Sequence, residues 1–112
     1  MKNSSLYKGS LATIILKLLN EHDKMYGYQI TQRAEEITQG ELVITEGALY
    51  PCLHKLKAQG FVEAETIMIG NRKRKYYKLT EEGTRETVKK LAELEDYIVI
   101  MRALVNPKFR PE

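Results

Sequence analysis

The stretch from Thr45 to Gly60, which reads TEGALYPCLHKLKAQG, decides how the rest of the chain is interpreted. Leu49, Leu53 and Leu56 recur at i, i+4 and i+7, the spacing of one buried stripe on an α-helix. Thr45 is a good N-cap, because its hydroxyl can accept a hydrogen bond from an N–H of the first turn, and Gly60 can end the helix. We therefore predict a helix that buries its leucines and presents its opposite face.

The presented face of this predicted helix is neither strongly charged nor strongly apolar. Small residues near its start would allow close approach to another surface, and Tyr50 and His54 offer polar groups. Glu46 lies in the first turn, where the helix dipole favours an acid. The remaining residues of this face are Gly47, Pro51 and Ala58, flanked by Lys55.

The length, charge and cysteine count predict one domain in a reducing compartment. The chain has 112 residues, a net charge of +3 and a pI near 8.9, which permits nucleic-acid binding without requiring it. Cys52 is the single cysteine, so no internal disulfide can form. The first residues lack the apolar core of a signal peptide, and no apolar run is long enough to span a membrane. We expect a cytoplasmic protein without membrane contact.

Two shorter helices are predicted before Thr45. The first, over residues 10–20, has so wide an apolar arc that it either contacts a second subunit as well as its own core, or simply lies at the centre of the core. In the second, Gly27 is the expected N-cap, Ile30, Ala34 and Ile37 are expected to be buried, and Gly40 is expected to end the helix. The short spacing before Thr45 is typical of a helix-turn-helix.

A β-hairpin is predicted after Gly60. Two β-prone runs, residues 61–69 and 74–79, surround a turn that contains Gly70 and Asn71. The turn and the return strand carry five basic residues and no acid, namely Arg72, Lys73, Arg74, Lys75 and Lys78. Arginines at such a tip can reach phosphates or a narrow minor groove. The alternative is a solvated edge strand, since lysines commonly protect sheet edges from aggregation.

The last predicted helix begins at Thr80, a good N-cap followed by two acids. Apolar residues then recur with the a and d spacing of a heptad, at Val88, Leu91, Leu94, Ile98, Met101 and Val105. A helix of about 25 residues would be roughly 38 Å long, more than the preceding elements can cover. A second copy of the chain is the natural partner for this seam. Asn106-Pro107 should end the helix.

No catalytic or metal-binding pattern is present. Cys52 lies beside the leucine stripe and is interpreted as a small core residue instead of a nucleophile. His22 and His54 have no metal-ligand spacing with Cys52 or with paired carboxylates. Phosphate-binding and dinucleotide-binding glycine motifs are missing as well. We predict a protein that is not an enzyme and needs no cofactor.

Several segments together resemble the PadR family of winged helix-turn-helix transcription regulators. The resemblance runs from about residue 9 to residue 83 and matches the short branch of the family, with one helix after the wing. Residues 74–83 read RKYYKLTEEG, although Leu-Thr-x-x-Gly alone is shared by several winged-helix families. The other segments are GSL at 9–11, Ile15-Leu16, YGYQI at 26–30, TEGALYP at 45–51, Leu53, Leu56 and GFV at 60–62.

The resemblance implies a mainly α fold with a small β-hairpin wing. Residues 1–79 would form the winged helix-turn-helix, residues 80–106 a C-terminal dimerisation helix and residues 107–112 a frayed tail. A homodimer would place two recognition helices in successive major grooves of a near-palindromic double-stranded operator. The implied activity is repression, relieved in many members by a small molecule.

The resemblance also assigns roles to residues. The DNA-binding residues would be Tyr28, Thr45, Glu46, Gly47, Tyr50, His54, Lys55, Arg72, Lys73 and Arg74, with the last three at the wing tip. The dimerisation residues would be Leu11 and Ile15 of the first helix and the six seam residues of the last helix. Some short members bind flat aromatic drugs between tryptophans, which this chain lacks. Tyr7 and Tyr97 could replace them around a hydrophobic or phenolic effector, or could simply rim a closed dimer.

A second function class remains open from the sequence. A winged-helix module can bind a protein with its wing and recognition helix, and a basic wing would suit an acidic partner. Titration with random duplex DNA at low salt distinguishes the two, because a protein-binding module would not bind the duplex.

Overall fold

Four helices and a three-stranded antiparallel sheet make up residues 5–108, which are the residues that the computed structural model describes. The prediction of a mainly α fold with a small wing is confirmed. A 3-10 turn at Ser5–Ser10 precedes α1 (Leu11–Glu21), β1 (Met25–Tyr26), α2 (Gly27–Ile37), α3 (Glu46–Ala58), β2 (Val62–Ile69), β3 (Arg72–Leu79) and α4 (Glu81–Val105).

The core is built around α1 and the leucine stripe of α3. Leu49, Leu53 and Leu56 are all buried, as the spacing predicts. Leu11 and Ile15 were expected to contact a second copy, but they are 7% and 0% exposed within a single chain. That expectation is therefore wrong for Ile15, which lies in the core and has no surface to offer a second copy.

The ends of α3 differ from each other. At the C-terminus the N–H of Phe61 donates to Leu56 and that of Gly60 to Lys57, with Gly60 at φ +83°. This is a Schellman cap, which needs a left-handed residue that glycine supplies without strain. At the N-terminus, Thr45 is the N-cap residue, but its hydroxyl makes no capping hydrogen bond, contrary to the prediction.

The start of α2 is one residue earlier than predicted. Tyr26 is the N-cap, its N–H donates to Oε1 of Gln29 at 3.1 Å, and Gly27 is the first helical residue. The ring of Tyr50 lies against Gly27, because a Cβ there would be 2.9 Å from its Cζ, so a larger residue would force that ring to move. Ile37 at the other end is 52% exposed, so its expected burial is wrong.

The sheet contains the predicted hairpin and one strand that was not predicted. β2 and β3 pair from Val62 opposite Leu79 to Ile69 opposite Arg72, around a two-residue Gly70-Asn71 turn. The two residues of β1 extend the sheet on the other side of β3, where Tyr26 lies opposite Tyr76.

The start of α4 is fixed to the connection between α3 and β2. The Thr80 hydroxyl accepts from the N–H of Gly83 at 3.0 Å, as predicted, and also donates to the carbonyl of Gly60 at 2.6 Å. The N–H of Thr80 donates to Phe61 at 3.1 Å. Gly83 packs so closely on Phe61 that a Cβ would collide with its backbone carbonyl.

Near the start of α4, Thr87 is a buried polar residue. This residue is 1% exposed and its hydroxyl donates to the carbonyl of Gly83 at 2.8 Å. Val88, predicted to extend the seam that faces a second copy, is 67% exposed in the single chain. Of the predicted tail, residues 109–112 lie outside the described part of the chain.

Candidate nucleic-acid interface

The outward face of α3 holds the residues that the sequence assigned to it. Thr45, Glu46 and Gly47 form an exposed first turn, followed by exposed His54 and Lys55. Their exposure follows from the leucine stripe, which fixes the buried side of the helix and leaves these positions opposite or beside it.

Tyr50 contributes less free surface than expected, since it is 36% exposed. The hydroxyl end of its ring lies against the backbone of Gly27, at the first turn of α2. Tyr50 therefore sets how closely α2 and α3 approach each other, in addition to any outward contact. Tyr28, on the same first turn of α2, is 62% exposed, and its hydroxyl accepts from Nε2 of Gln32 at 2.8 Å.

The basic residues of β3 are neutralised near the core and uncompensated near the turn. Lys78, next to the core, pairs with Glu63 at 3.3 Å. Arg72, Lys73 and Lys75 form no ion pair with any residue between positions 5 and 108. The hairpin end is consequently a local excess of positive charge on a chain whose net charge is only +3.

Arg74 does not project from the wing tip as predicted. Its Cζ lies 4.1 Å from the ring centroid of Tyr26, within cation–π distance, and the residue is only partly exposed. Tyr26 also meets Tyr76 edge to face, with ring centroids 5.4 Å apart. Strand alternation explains this position, because Arg74 and Tyr76 lie on the same face of β3 and Tyr26 is beside them on β1.

Lys24 and Glu65 form an ion pair on the same outer face of the sheet as Arg74 and Tyr76. Nζ of Lys24 lies 3.0 Å from Glu65 and 5.4 Å from the ring centroid of Tyr76. The hydrogen bond to Glu65 raises the pKa of Lys24, and the same bond lowers the pKa of Glu65. Sequence reasoning missed Lys24 and Tyr26 here, because a two-residue strand leaves no detectable alternation. The pair of tyrosines at 26 and 76 was the available signal.

Cys52 has the environment of a packing residue. It is partly buried against the core, and burial raises the pKa of its thiol, although Lys55 opposes this shift. A raised pKa leaves less thiolate at neutral pH and hence a weaker nucleophile. Among residues 5–108, no group of histidine, cysteine and carboxylate side chains has an arrangement that could hold a metal ion.

The residues of the predicted seam of α4 differ in how far a single chain buries them. Leu91, Leu94 and Met101 are partly buried, whereas Ile98 and Val105 are 47% and 83% exposed. Further apolar side chains on the same half of the helix are exposed as well, namely Tyr97, Ile100 and Leu104.

The two tyrosines considered for an effector site are not brought together. Tyr7 is 7% exposed and belongs to the core, so it cannot stack on a ligand, and that expectation is wrong. Tyr97 is 58% exposed and lines an open groove of about 310 Å³ between the 3-10 turn, α1 and α4. The other lining residues are Leu6, Gly9, Ser10, Thr13, Lys90, Glu93 and Leu94.

Within the described part of the chain, none of the helices has the length and apolarity needed to cross a lipid bilayer.

Comparison with known proteins gives consistent results. An uncharacterised protein of Lysinibacillus sphaericus is 35% identical over 102 residues, which cover 88% of this chain and 93% of that protein. A transcriptional regulator from Clostridium thermocellum is 31% identical, with a TM-score of 0.77 over 95% of this chain and 98% of that one. Bacillus subtilis PadR, solved in complex with operator DNA, is 32% identical, with a TM-score of 0.65 over 72% of this chain and 46% of PadR.

The sequence profile of the transcriptional regulator PadR-like family matches residues 15–89, which run from α1 through the wing into α4. Members of this family are transcriptional regulators and not enzymes. The match, the related structures and the winged helix-turn-helix geometry agree, and this chain belongs to the PadR-like family of transcriptional regulators.

Proposed function

We propose that this chain binds operator DNA as a homodimer and represses transcription, and that a small molecule releases it. The observation that carries the proposal is the uncompensated charge of Arg72, Lys73 and Lys75 at the end of the wing. Phosphate contacts supply most of the affinity of a protein for duplex DNA, and such contacts require cations that are not already paired. The complex of Bacillus subtilis PadR with operator DNA supports the nature of the ligand.

The proposed interface separates affinity from sequence selection. α3 offers only Lys55 and Lys57 as basic residues, so its phosphate attraction is small. His54 and the first turn of α3 would instead contact base edges, and the carboxylate of Glu46 would suit the amino group of a cytosine. Tyr28 would contact the DNA backbone beside α3. The wing would supply the affinity through Arg72 and Lys73.

Salt dependence tests this division. Binding to a fluorescent random-sequence duplex, and to the DNA that flanks the chain's own gene, is titrated between about 50 and 200 mM salt. Removing one phosphate-binding cation should lower the slope of log affinity against log salt by about 0.9. An Arg72→Ala/Lys73→Ala variant removes two such cations and should therefore lower the slope by about 1.8 for both duplexes. Lys89→Gln, which removes an exposed charge on α4, is the matched control and should leave the slope unchanged.

Two results would contradict the proposal. If the wing variant kept the wild-type slope, Arg72 and Lys73 would not contact phosphate. If the wild-type protein bound no duplex at low salt, the module would serve a protein partner. Repression itself is tested with a reporter gene under the flanking promoter, whose expression should rise when the wing variant replaces the wild-type protein.

The homodimer is supported by the exposed apolar end of α4. Ile98, Ile100, Leu104 and Val105 are each about half exposed or more in a single chain, and residues 5–108 contain nothing that covers them. Ile98 and Val105 are seven residues apart and therefore lie on one side of α4, and exposed apolar surface of this kind is typical of an interaction site. We therefore propose the division into a DNA-binding unit, residues 1–79, and a dimerisation helix, residues 80–106. Because Ile15 is fully buried, the contact would be made by α4 and not by that part of α1.

The effector is proposed to bind in the groove beside Tyr97. One exposed aromatic ring and Leu94 give it an apolar wall, while Lys90 and Glu93 offer polar groups at its edge. A hydrophobic or phenolic molecule suits this combination. The test is a series of small phenols that are screened for release of the bound duplex. Tyr97→Ala should abolish release without weakening DNA binding, and equal release from both proteins would place the effector elsewhere.

A further inference from the structure

The outer face of the sheet carries a cluster of aromatic rings and cations, formed by Lys24, Tyr26, Glu65, Arg74 and Tyr76. Its central contact is the guanidinium of Arg74 over the ring of Tyr26, 4.1 Å from the centroid. The rings of Tyr26 and Tyr76 meet edge to face, and the ion pair of Lys24 with Glu65, at 3.0 Å, lies beside them. Arg74 is therefore enclosed by contacts on one face, unlike Arg72 and Lys73, which are exposed at the turn.

Tyr26 connects this cluster to the helix-turn-helix. Its backbone N–H is bound by Gln29 at 3.1 Å, so it is fixed as the N-cap of α2. The next residue, Gly27, holds the ring of Tyr50 from α3. A continuous series of contacts thus runs from the wing strand β3, through Arg74 and Tyr26, to the start of α2 and the outward face of α3.

We propose that Arg74 is a positioning residue, which fixes the orientation of the wing relative to α2 and α3 instead of contacting phosphate. Arg74 lies further out along the hairpin than the other contacts that hold it, namely the β1–β3 pairing, the Tyr26–Tyr76 rings, the Lys24–Glu65 ion pair and the buried ring of Tyr77. The wing tip must reach DNA at the same time as α3, so a fixed angle lowers the ordering cost of binding. The inference rests on the proposed DNA-binding function.

Arg72→Ala and Arg74→Ala are the matched pair for this test, because each removes one arginine from the same strand. Arg74→Ala should weaken duplex binding about 3- to 10-fold at low salt, since the wing is no longer pre-oriented, and should keep the wild-type salt slope. Arg72→Ala should reduce the slope by about 0.9, the value expected for one phosphate. A slope reduced equally by both substitutions would overturn the proposal and make Arg74 a phosphate-binding residue.

Variants of Tyr26 give an independent readout. Tyr26→Leu removes the ring and should weaken binding as much as Arg74→Ala does, while the double variant should be no weaker than either one. Tyr26→Phe keeps the ring face and should restore wild-type binding. Full affinity in Tyr26→Leu would contradict the inference. A purely structural role predicts lower thermal stability with unchanged affinity, which would also contradict it. Should Tyr26→Leu fail to fold, the slopes of the two arginine variants decide.

Amide hydrogen exchange separates this inference from the proposed function. In the free protein, exchange in the β2–β3 hairpin should accelerate in Arg74→Ala and Tyr26→Leu and not in Arg72→Ala. If the wild-type protein bound no duplex, the proposed function would fail, yet this pattern would still support the contact between the wing and α2. Unchanged exchange in Arg74→Ala and Tyr26→Leu would overturn that contact whether or not the protein binds DNA.

Discussion

Gly83→Ala tests the junction that fixes the start of α4. An added Cβ would lie 2.8 Å from the carbonyl carbon of Phe61 and 3.2 Å from its Cα, and closer still to the carbonyl oxygen. These atoms belong to the backbone and cannot rotate away, so α4 must move from Phe61 by roughly 1 Å. That movement would also stretch the hydrogen bonds of Thr80 to Phe61 and to Gly60.

The magnitude of the Gly83→Ala effect follows from three contributions. Overpacking costs about 1–3 kcal/mol, and each weakened hydrogen bond costs about 0.5–1.5 kcal/mol. The higher helix propensity of alanine offsets at most about 1 kcal/mol. We expect a loss of about 3 kcal/mol in the free energy of unfolding, which for a chain of this size corresponds to a fall in Tm of roughly 10 °C.

Gly47→Ala is the matched control for Gly83→Ala, since Gly47 is also a helical glycine near an N-terminus. The nearest atom to a Cβ at Gly47 is Oγ1 of Thr45 at 4.0 Å, so nothing has to move. This variant should be unchanged or more stable by up to about 1 kcal/mol. Urea unfolding followed by far-UV circular dichroism, at one protein concentration, measures both. A Gly83→Ala protein as stable as the wild type would refute the close approach of α4 to Phe61.

Three further predictions concern other contacts. Ile98→Lys/Val105→Lys should convert a dimer into a folded monomer, as measured by light scattering, because both side chains are exposed in the single chain. A dimer that persisted would exclude the end of α4 from the interface. Gly27→Ala should displace the ring of Tyr50, which can rotate, so we expect the free energy of unfolding to change by no more than about 1 kcal/mol. Operator preference should shift, which competition among duplexes measures. The hydrogen bond from Lys17, at 2.8 Å, lowers the pKa of Glu21 from its ordinary value of 4.5. The ion pair therefore stabilises the fold above pH 4.5, and this contribution is lost as the pH falls through the lowered pKa. The free energy of unfolding should differ between the wild type and Lys17→Ala near neutral pH, and this difference should vanish in acid. A difference that stayed constant with pH would refute the pairing.

Much of the fold could be predicted because local pattern and tertiary role agree. The leucines of α3 recur with helical spacing and are buried together, and Thr80 followed by two acids is a local signal for a helix start. β1 could not be predicted, since its two residues form a strand only through pairing with β3. The buried residue at the start of α4 could not be predicted for a related reason. Thr87 is buried with its hydroxyl bonded to the carbonyl of Gly83, and a pattern of apolar residues passes over a threonine.

The candidate interface shows a sharper limit of sequence reasoning. Exposure of His54 follows from the helical period, whereas the different roles proposed for Arg72 and Arg74 rest on the position of Arg74 over the ring of Tyr26 and of Arg72 at the exposed turn. Both arginines contribute equally to a charge count. Tyr26, 48 residues earlier in the chain, distinguishes them, and no spacing within residues 72–75 reveals that contact.

The connection Gly60-Phe61 is where the parts of this molecule are joined. It caps the C-terminus of α3, begins the wing, accepts both hydrogen bonds from Thr80 and supports the backbone of Gly83. The start of α4 is therefore held, at one angle, against the last turn of the helix that presents His54. In the proposed dimer, the spacing of the two α3 helices would follow from this angle and from the pairing of α4. In such a dimer, a change in how two α4 helices pack would act on both α3 helices through these close contacts of Gly60-Phe61 with Thr80 and Gly83.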